Sequence, residues 1–149
     1  MSTALDSSPE TPLLRVALAG NPNSGKTSLF NALTGGRQHV GNYPGVTVEK
    51  RAGSFVSGGR RFELLDLPGT YSLNSFSPEE RIAQDALLWD KHDVVVVVVD
   101  STALKRSLVL LVQVMQAGGN PVLALNMADE AQAAGQRIDL EQMRTLLGF

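Results

Sequence analysis

The sequence contains no cysteine among its 149 residues. That absence excludes disulfide bridges, thiolate metal sites and cysteine nucleophiles, and it is compatible with a reducing compartment. An excess of one charge is also missing, because 13 Lys and Arg stand against 15 Asp and Glu, a net charge of −2. Without a basic excess the chain has little means of coating a nucleic-acid backbone, so we expect no nucleic-acid partner.

Long hydrophobic runs are missing as well. The most apolar run covers residues 94–99 and is closed by Asp93 and Asp100, whereas a helix needs roughly 20 apolar residues to cross a bilayer. Residues 1–12 are small and polar, with no basic segment before an apolar core. They predict a disordered leader and no signal peptide. Residues 13–149 then predict one globular domain, since 43% of the chain is hydrophobic and 19% is charged.

Short apolar runs alternate with helical periodicity in the order β-α-β-β-α-β-α-β-α. Gly58-Gly59 predicts a tight hairpin, and Ser77-Pro78 with Glu80 predicts a helix start. Residues 36–45 are rich in glycine and predict a mobile loop. Because the other connections contain helices, we expect an α/β three-layer sandwich with a mostly parallel sheet and a ligand at the carboxyl ends of its strands. Strands are predicted at residues 13–19, 46–57, 60–65, 93–100 and 121–127.

A phosphate-binding loop is predicted between the first strand and the first helix. Residues 20–27 fit G-x-x-x-x-G-K-[ST] without a mismatch, and a chance glycine-rich turn is disfavoured by these flanking elements. Backbone N–H groups and the helix N-terminus would cradle the phosphates. Lys26 is expected to reach the β- and γ-phosphates, and the Thr27 hydroxyl to bind Mg²⁺. The predicted nucleotide-binding residues here are Gly20, Asn21, Pro22, Asn23, Ser24, Gly25, Lys26, Thr27 and Ser28.

Two further motifs decide which nucleotide is expected. Asp66-Leu67-Pro68-Gly69 fits D-x-x-G after a strand, where Asp66 would hold Mg²⁺ through water and the Gly69 amide would sense the γ-phosphate. Asn126-Met127-Ala128-Asp129 fits N-x-x-D, and the Asp129 carboxylate could accept both N1–H and N2–H₂ of guanine, a pairing that adenine does not offer. The alternatives are a plain loop after a strand for the first motif and a helix-capping aspartate for the second.

A threonine between the first helix and the second strand completes the predicted site. Thr47 is expected to close over Mg²⁺ and the γ-phosphate, and its neighbours Gly45, Val46, Val48 and Glu49 are also predicted to bind nucleotide. The predicted catalytic residues are Lys26, Thr47 and Gly69, and the predicted Mg²⁺ ligands are Thr27, Thr47 and Asp66.

The sequence resembles the N-terminal G domain of the FeoB family of ferrous-iron transport proteins. The likeness is carried by residues 20–35, 40–49, 66–73 and 126–129, including methionine where most GTPases have lysine. The resemblance implies a domain that binds GTP and hydrolyses it slowly, on the cytoplasmic face of a membrane Fe²⁺ importer. Its implied partners are GTP or GDP, the rest of its own transporter chain and a second copy. It also implies that Asn23 ligates a stimulating K⁺ ion.

Two departures from related enzymes affect these expectations. Thr70 follows Gly69, where a Ras-like enzyme has a glutamine that orients water, so intrinsic hydrolysis should be slow. The chain ends at Phe149, before the last strand and helix that the resemblance implies, so we expect an incomplete G domain. The alternative functions are a soluble ribosome- or tRNA-associated GTPase, disfavoured by the net charge and Met127, and a nucleotide-dependent interaction switch without catalysis.

Overall fold

The computed structural model describes residues 12–74 and 76–148. Residues 1–11 of the predicted disordered leader lie outside the described residues. The elements are β1 (Leu13–Gly20), α1 (Lys26–Thr34), β2 (Gln38–Asn42), β3 (Glu49–Ser57), β4 (Arg60–Asp66), α2 (Pro78–Trp89), β5 (Val94–Asp100), a 3₁₀ turn (Ser101–Ala103), α3 (Leu104–Gln116), β6 (Pro121–Asn126), α4 (Ala128–Ala133) and α5 (Leu140–Leu147). None of these helices combines the length and the apolar character needed to span a bilayer.

A six-stranded mixed sheet forms the centre of the molecule, in the order β2-β3-β4-β1-β5-β6. β1 runs parallel to both β4 and β5, and β5 runs parallel to β6. β3 runs antiparallel to β4 and to β2. The predicted α/β fold with a mostly parallel sheet is therefore confirmed. Because β1, β4, β5 and β6 are parallel, the loops that follow them lie along one edge of the sheet.

The prediction of a loop over residues 36–45 was wrong, because β2 lies within it. β2 pairs with β3 from Gln38 opposite Gly53 to Asn42 opposite Glu49. All five of its residues are exposed, so this edge strand has no apolar alternation that could reveal it in the sequence. The following strand also begins at Glu49, later than the predicted residue 46, because residues 43–48 form a turn.

Local signals elsewhere were reliable. Gly58 and Gly59 both have positive φ, 59° and 73°, as the predicted hairpin between β3 and β4 requires. The Ser77 hydroxyl accepts a hydrogen bond from the Glu80 backbone N–H at 3.1 Å and caps α2. The short helix α4 was missed, since its six residues are too few to show a helical period.

The core lies on both faces of the sheet. On one face α1 buries Phe30 completely against β1 and β4, whereas Leu33 of the same helix is 38% exposed. On the other face α3 buries Leu110, Leu111 and Val114. The interior of β1 is fully enclosed between these layers, which fixes the position of the loop that follows Gly20.

Candidate nucleotide-binding site

The loop from β1 to α1 is shaped by two residues in the left-handed region. Asn23 has a φ of 62° and Gly25 a φ of 87°. The Ser24 N–H donates to the Asn21 carbonyl at 3.2 Å, and the Leu29 N–H donates to the Gly25 carbonyl at 3.1 Å, which starts the first turn of α1. No side chain caps α1, so the positive end of its dipole is left for a ligand.

A cavity of about 480 Å³ opens at this loop. It joins residues of all three predicted motifs, although they are far apart in the chain. Its lining residues are Asn21, Pro22, Asn23, Gly25, Lys26, Thr27, Ser28, Gly69 and Met127.

Two buried polar side chains beside this cavity have no hydrogen-bond partner in the part of the chain that the structure describes. Both amide atoms of Asn21, which is 4% exposed, and the hydroxyl of Ser24, which is 1% exposed, are unpaired. An unpaired buried polar group costs about 1–3 kcal/mol. Such groups beside a phosphate-binding loop fit a site that is built to hold a polar ligand.

Lys26 and Asp66 form a buried ion pair. Both side chains are less than a tenth exposed, and Lys26 Nζ donates to Asp66 Oδ1. The motifs predict that these groups face phosphate and Mg²⁺ separately, yet the structure pairs them with each other. Thr27, the next residue of α1, is exposed and lines the cavity. The Lys26 side chain must therefore exchange Asp66 for a phosphate before it can act as predicted.

The D-x-x-G segment is held against the phosphate-binding loop by its backbone. The Leu67 N–H donates to the Leu18 carbonyl at 2.9 Å, and the Thr70 N–H donates to the Gly20 carbonyl at 3.1 Å. Leu67 is fully buried in the core, so its side chain does not reach the cavity, and Pro68 does not line it either. A Cβ on Gly69 would lie 3.1 Å from the Pro22 Cα, so any side chain here would press against the backbone of the phosphate-binding loop.

The N-x-x-D segment is also attached to the loop, by a contact that the sequence did not predict. Asn126 Nδ2 donates to the Ser24 carbonyl at 2.9 Å. Met127 follows in a left-handed conformation, with a φ of 57°, and lines the cavity. Asp129 lies exposed in the first turn of α4, beyond the cavity wall, and it is not the N-cap, which is Met127.

Residues 45–49 do not reach the cavity. The turn they share with Tyr43 is closed by a hydrogen bond from the Tyr43 N–H to the Val48 carbonyl at 2.9 Å. Gly45 and Thr47 are exposed, Val46 lines a separate groove against α2, and Glu49 forms an exposed ion pair with Arg51. The predicted role of Thr47 therefore depends on a movement of this turn toward Thr27.

Tyr43 begins that turn, and its side chain is partly buried. Its hydroxyl is buried and has no partner among the described residues. Burial, reinforced by the negative charges of Asp66 and Asp90, raises the pKa of Tyr43 to about 12. The phenol therefore stays neutral at physiological pH. The Asp66 carboxylate pairs with Lys26 at the phosphate-binding loop, and it also raises the pKa of Tyr43 in the turn.

These features define a P-loop G domain, the class of domain that binds GTP: a phosphate-binding loop after β1, D-x-x-G after β4 and N-x-x-D after β6, all at one edge of a mixed sheet. A family model described as "Ferrous iron transport protein B" matches residues 14–149. The chain belongs to that family.

Curated relatives agree with this assignment. The chain is 46% identical over 142 residues to an "Fe(2+) transport protein A/Fe(2+) transporter FeoB fusion protein" of Porphyromonas gingivalis, which covers 95% of the chain and 17% of that relative. It is 46% identical over 139 residues to the "Fe(2+) transporter FeoB" of Salmonella typhimurium, with 91% and 18% covered. The chain thus spans less than a fifth of the length of these relatives.

Solved structures show the same fold. The cytosolic domain of the T. maritima FeoB iron transporter in a GDP form superposes with a TM-score of 0.88 at 48% identity, covering 93% of this chain and 54% of that one. The G domain of the same protein superposes with a TM-score of 0.85 at 47% identity, covering 92% and 84%. A GMPPNP form of the cytosolic domain gives a TM-score of 0.87 at 48% identity, covering 91% and 54%.

Proposed function

We propose that this chain is the GTP-binding and GTP-hydrolysing G domain of a membrane ferrous-iron importer, on its cytoplasmic side. The observation that carries the proposal is the cavity that Lys26, Thr27, Gly69 and Met127 line together. Family membership and the GDP and GMPPNP forms of the relatives support it over a ribosome-associated GTPase. Residues 13–149 are the proposed domain, and the rest of the transporter and a second copy are its proposed partners.

The phosphates bind at the loop between β1 and α1 in this proposal. Backbone N–H groups of the loop and the positive end of α1 face the phosphate oxygens, and Lys26 leaves Asp66 to pair with the β- and γ-phosphates. Once released, the Asp66 carboxylate and the Thr27 hydroxyl present oxygen donors, the ligands that Mg²⁺ prefers. Thr47 joins them when its turn moves. The metal, when bound, neutralises charge that develops on the phosphates.

Slow hydrolysis follows from the groups that line the cavity. None of its described lining residues carries a carboxylate or an imidazole that could act as a base. Thr70, where a Ras-like enzyme has glutamine, is 4% exposed and its N–H is committed to the Gly20 carbonyl. The Gly69 amide and Lys26 are left to stabilise the transition state by their charge and position.

Base recognition is tested by Asp129→Asn, which replaces a carboxylate acceptor with an amide. We expect GDP affinity to fall by about 2 kcal/mol or more, roughly thirtyfold, because guanine N2–H₂ loses its acceptor. Xanthosine diphosphate should bind better to the variant than to the wild type, since the amide can donate to its 2-oxo group. Competition against a fluorescent GDP analogue measures both affinities.

The matched control for this test is Asp139→Asn, the same chemical change at the exposed N-cap of α5. It should leave both affinities unchanged, because Asn also caps helices well. Equal competition by ATP and GTP for the wild-type chain would show that Asp129 does not select guanine.

Potassium stimulation is proposed from Asn23, whose exposed side chain lies on the cavity wall. A fixed cation beside the β–γ bridging oxygen helps most when negative charge builds there. An arginine finger supplies about 10³–10⁵ in rate, and an ion shared with solvent should supply less, so we expect KCl to raise GTP hydrolysis about tenfold over NaCl. Amide oxygens and backbone carbonyls are suitable K⁺ ligands.

Asn23→Gly should remove the stimulation and leave GDP affinity nearly unchanged, because glycine tolerates the left-handed backbone at this position. Asn31→Ala, on the exposed side of α1, is the control and should keep the full stimulation. Phosphate release at matched ionic strength measures the rates. Identical rates of the wild type in KCl and NaCl would contradict the proposal.

A further inference from the structure

A second cavity lies away from the nucleotide site, between the start of α3 and the segment after α4. Its volume is about 800 Å³, and it shares no lining residue with the cavity at the phosphate-binding loop. We call it the α3 cavity. Its polar and charged walls include Ser101, Thr102, Lys105, Arg106, Gln136 and Arg137.

The charge of the α3 cavity is of one sign. Lys105, Arg106 and Arg137 line it, and no Asp or Glu does so among the described residues. Lys105 and Arg137 take part in no ion pair within the described ranges. The Arg106 guanidinium lies 5.3 Å from the centre of the Tyr71 ring, so it already has a neighbour. Three cations in one cavity are unexpected in a chain whose net charge is −2.

Asp100 directly precedes the 3₁₀ turn, but its carboxylate is not among the groups that line the α3 cavity. Asp100 Oδ1 accepts hydrogen bonds from the Thr102 N–H at 2.8 Å and from the Thr102 hydroxyl at 2.6 Å. That carboxylate is thereby committed to the 3₁₀ turn before α3. α3 itself is 13 residues long and has no side-chain cap, so the positive end of its dipole adds to the charge of the cavity.

A buried hydroxyl in the cavity wall has no partner. Ser101 is 2% exposed, and its Oγ makes no hydrogen bond with any described residue. Deleting an unsatisfied buried hydroxyl costs little stability, whereas keeping one is unfavourable unless something binds it. An anion in the α3 cavity would give this hydroxyl an acceptor and would pair with the free cations.

We propose that the α3 cavity binds a phosphate group, held by Lys105 and Arg137, with the Ser101 hydroxyl as a neutral donor. A phosphate matches this set better than a carboxylate, because it carries more charge and has acceptor oxygens in several directions. The group could belong to a free anion or to a phospholipid headgroup. Since the cavity is separate from the nucleotide site, this binding does not depend on the proposed GTPase function.

The test uses the chain loaded with GMPPNP and Mg²⁺, because this triphosphate analogue fills the α-, β- and γ-phosphate positions and keeps added phosphate out of the nucleotide site. Inorganic phosphate is titrated, and the backbone amide signals of residues 101–106 are followed by NMR. We expect a saturable shift. Lys105→Gln and Arg137→Gln should each weaken binding about three- to fivefold, the effect of removing one exposed charge. Ser101→Ala should weaken binding without lowering the melting temperature.

Arg60→Gln is the matched control, because Arg60 is exposed in the hairpin at the other end of the sheet. It should bind phosphate like the wild type. Vesicles of phosphatidylglycerol and of phosphatidylcholine identify the source of the phosphate group. Sedimentation with both kinds of vesicle that is lost in Arg137→Gln indicates a lipid headgroup. A response to inorganic phosphate alone indicates a free anion. No saturable response to any probe, or the same loss in Arg60→Gln, would overturn the proposal.

Discussion

Thr27→Ala is expected to abolish Mg²⁺-dependent GTP hydrolysis, lowering its rate at least about a hundredfold, while the domain stays folded. The reason is the position of Thr27, which is exposed and lines the cavity. Phosphate release under single-turnover conditions measures the loss. Thr145→Ala, at an exposed threonine of α5, is the control and should hydrolyse GTP at the wild-type rate.

Lys26→Ala should stop hydrolysis as well, but with a second effect that Thr27→Ala lacks. Removing the lysine leaves the buried Asp66 carboxylate without its partner. Breaking a buried ion pair in this way typically lowers the free energy of unfolding by about 3 kcal/mol. Urea unfolding of the nucleotide-free chain measures that loss, and Lys26→Ala combined with Asp66→Asn should recover part of it.

The motif alone predicts that the side chains of Lys26 and Thr27 both point only at ligand. The buried ion pair with Asp66 corrects that prediction for Lys26. Equal stability of Lys26→Ala and Thr27→Ala would show that the ion pair contributes nothing to the fold. Hydrolysis by Thr27→Ala at the wild-type rate would instead show that Thr27 is not a ligand in the proposed metal site.

Gly25→Ala is expected to weaken GDP binding more than a hundredfold, because the added methyl group would both clash with Asn126 and strain the backbone. The added Cβ would lie 1.9 Å from Asn126 Nδ2, and the φ of 87° at Gly25 is strained for any residue with a side chain. Asn126 must move, which breaks its hydrogen bond to the Ser24 carbonyl and separates the phosphate-binding loop from the N-x-x-D segment. Calorimetric titration with GDP measures the loss.

Gly35→Ala is the control that keeps the backbone strain but lacks the steric clash. Gly35 has a φ of 61°, but a Cβ there would meet nothing within 4 Å. This control should cost about 1 kcal/mol of stability and leave GDP affinity unchanged. If Gly25→Ala lowers affinity no more than Gly35→Ala does, the contact between Asn126 and the loop has no part in binding.

Residue spacing was enough to predict most of the elements and the three motifs. Ser77 with Glu80 and Gly58-Gly59 act over a few residues, so the sequence indicates them without knowledge of the fold. The phosphate-binding loop was predictable for the same reason. β2 was not, because an exposed edge strand is specified by its pairing with β3 and carries no apolar alternation.

The sequence by itself therefore determined the class of domain, the family and the edge of the sheet where the site lies. Only the tertiary structure decided how the site is held together. Lys26 meets Asp66 across 40 residues, and Asn126 meets Ser24 across 102. The three cations of the α3 cavity likewise come from two segments of the chain. Spacing along the chain cannot show such contacts, because they form only when parallel strands bring their carboxyl ends to one edge.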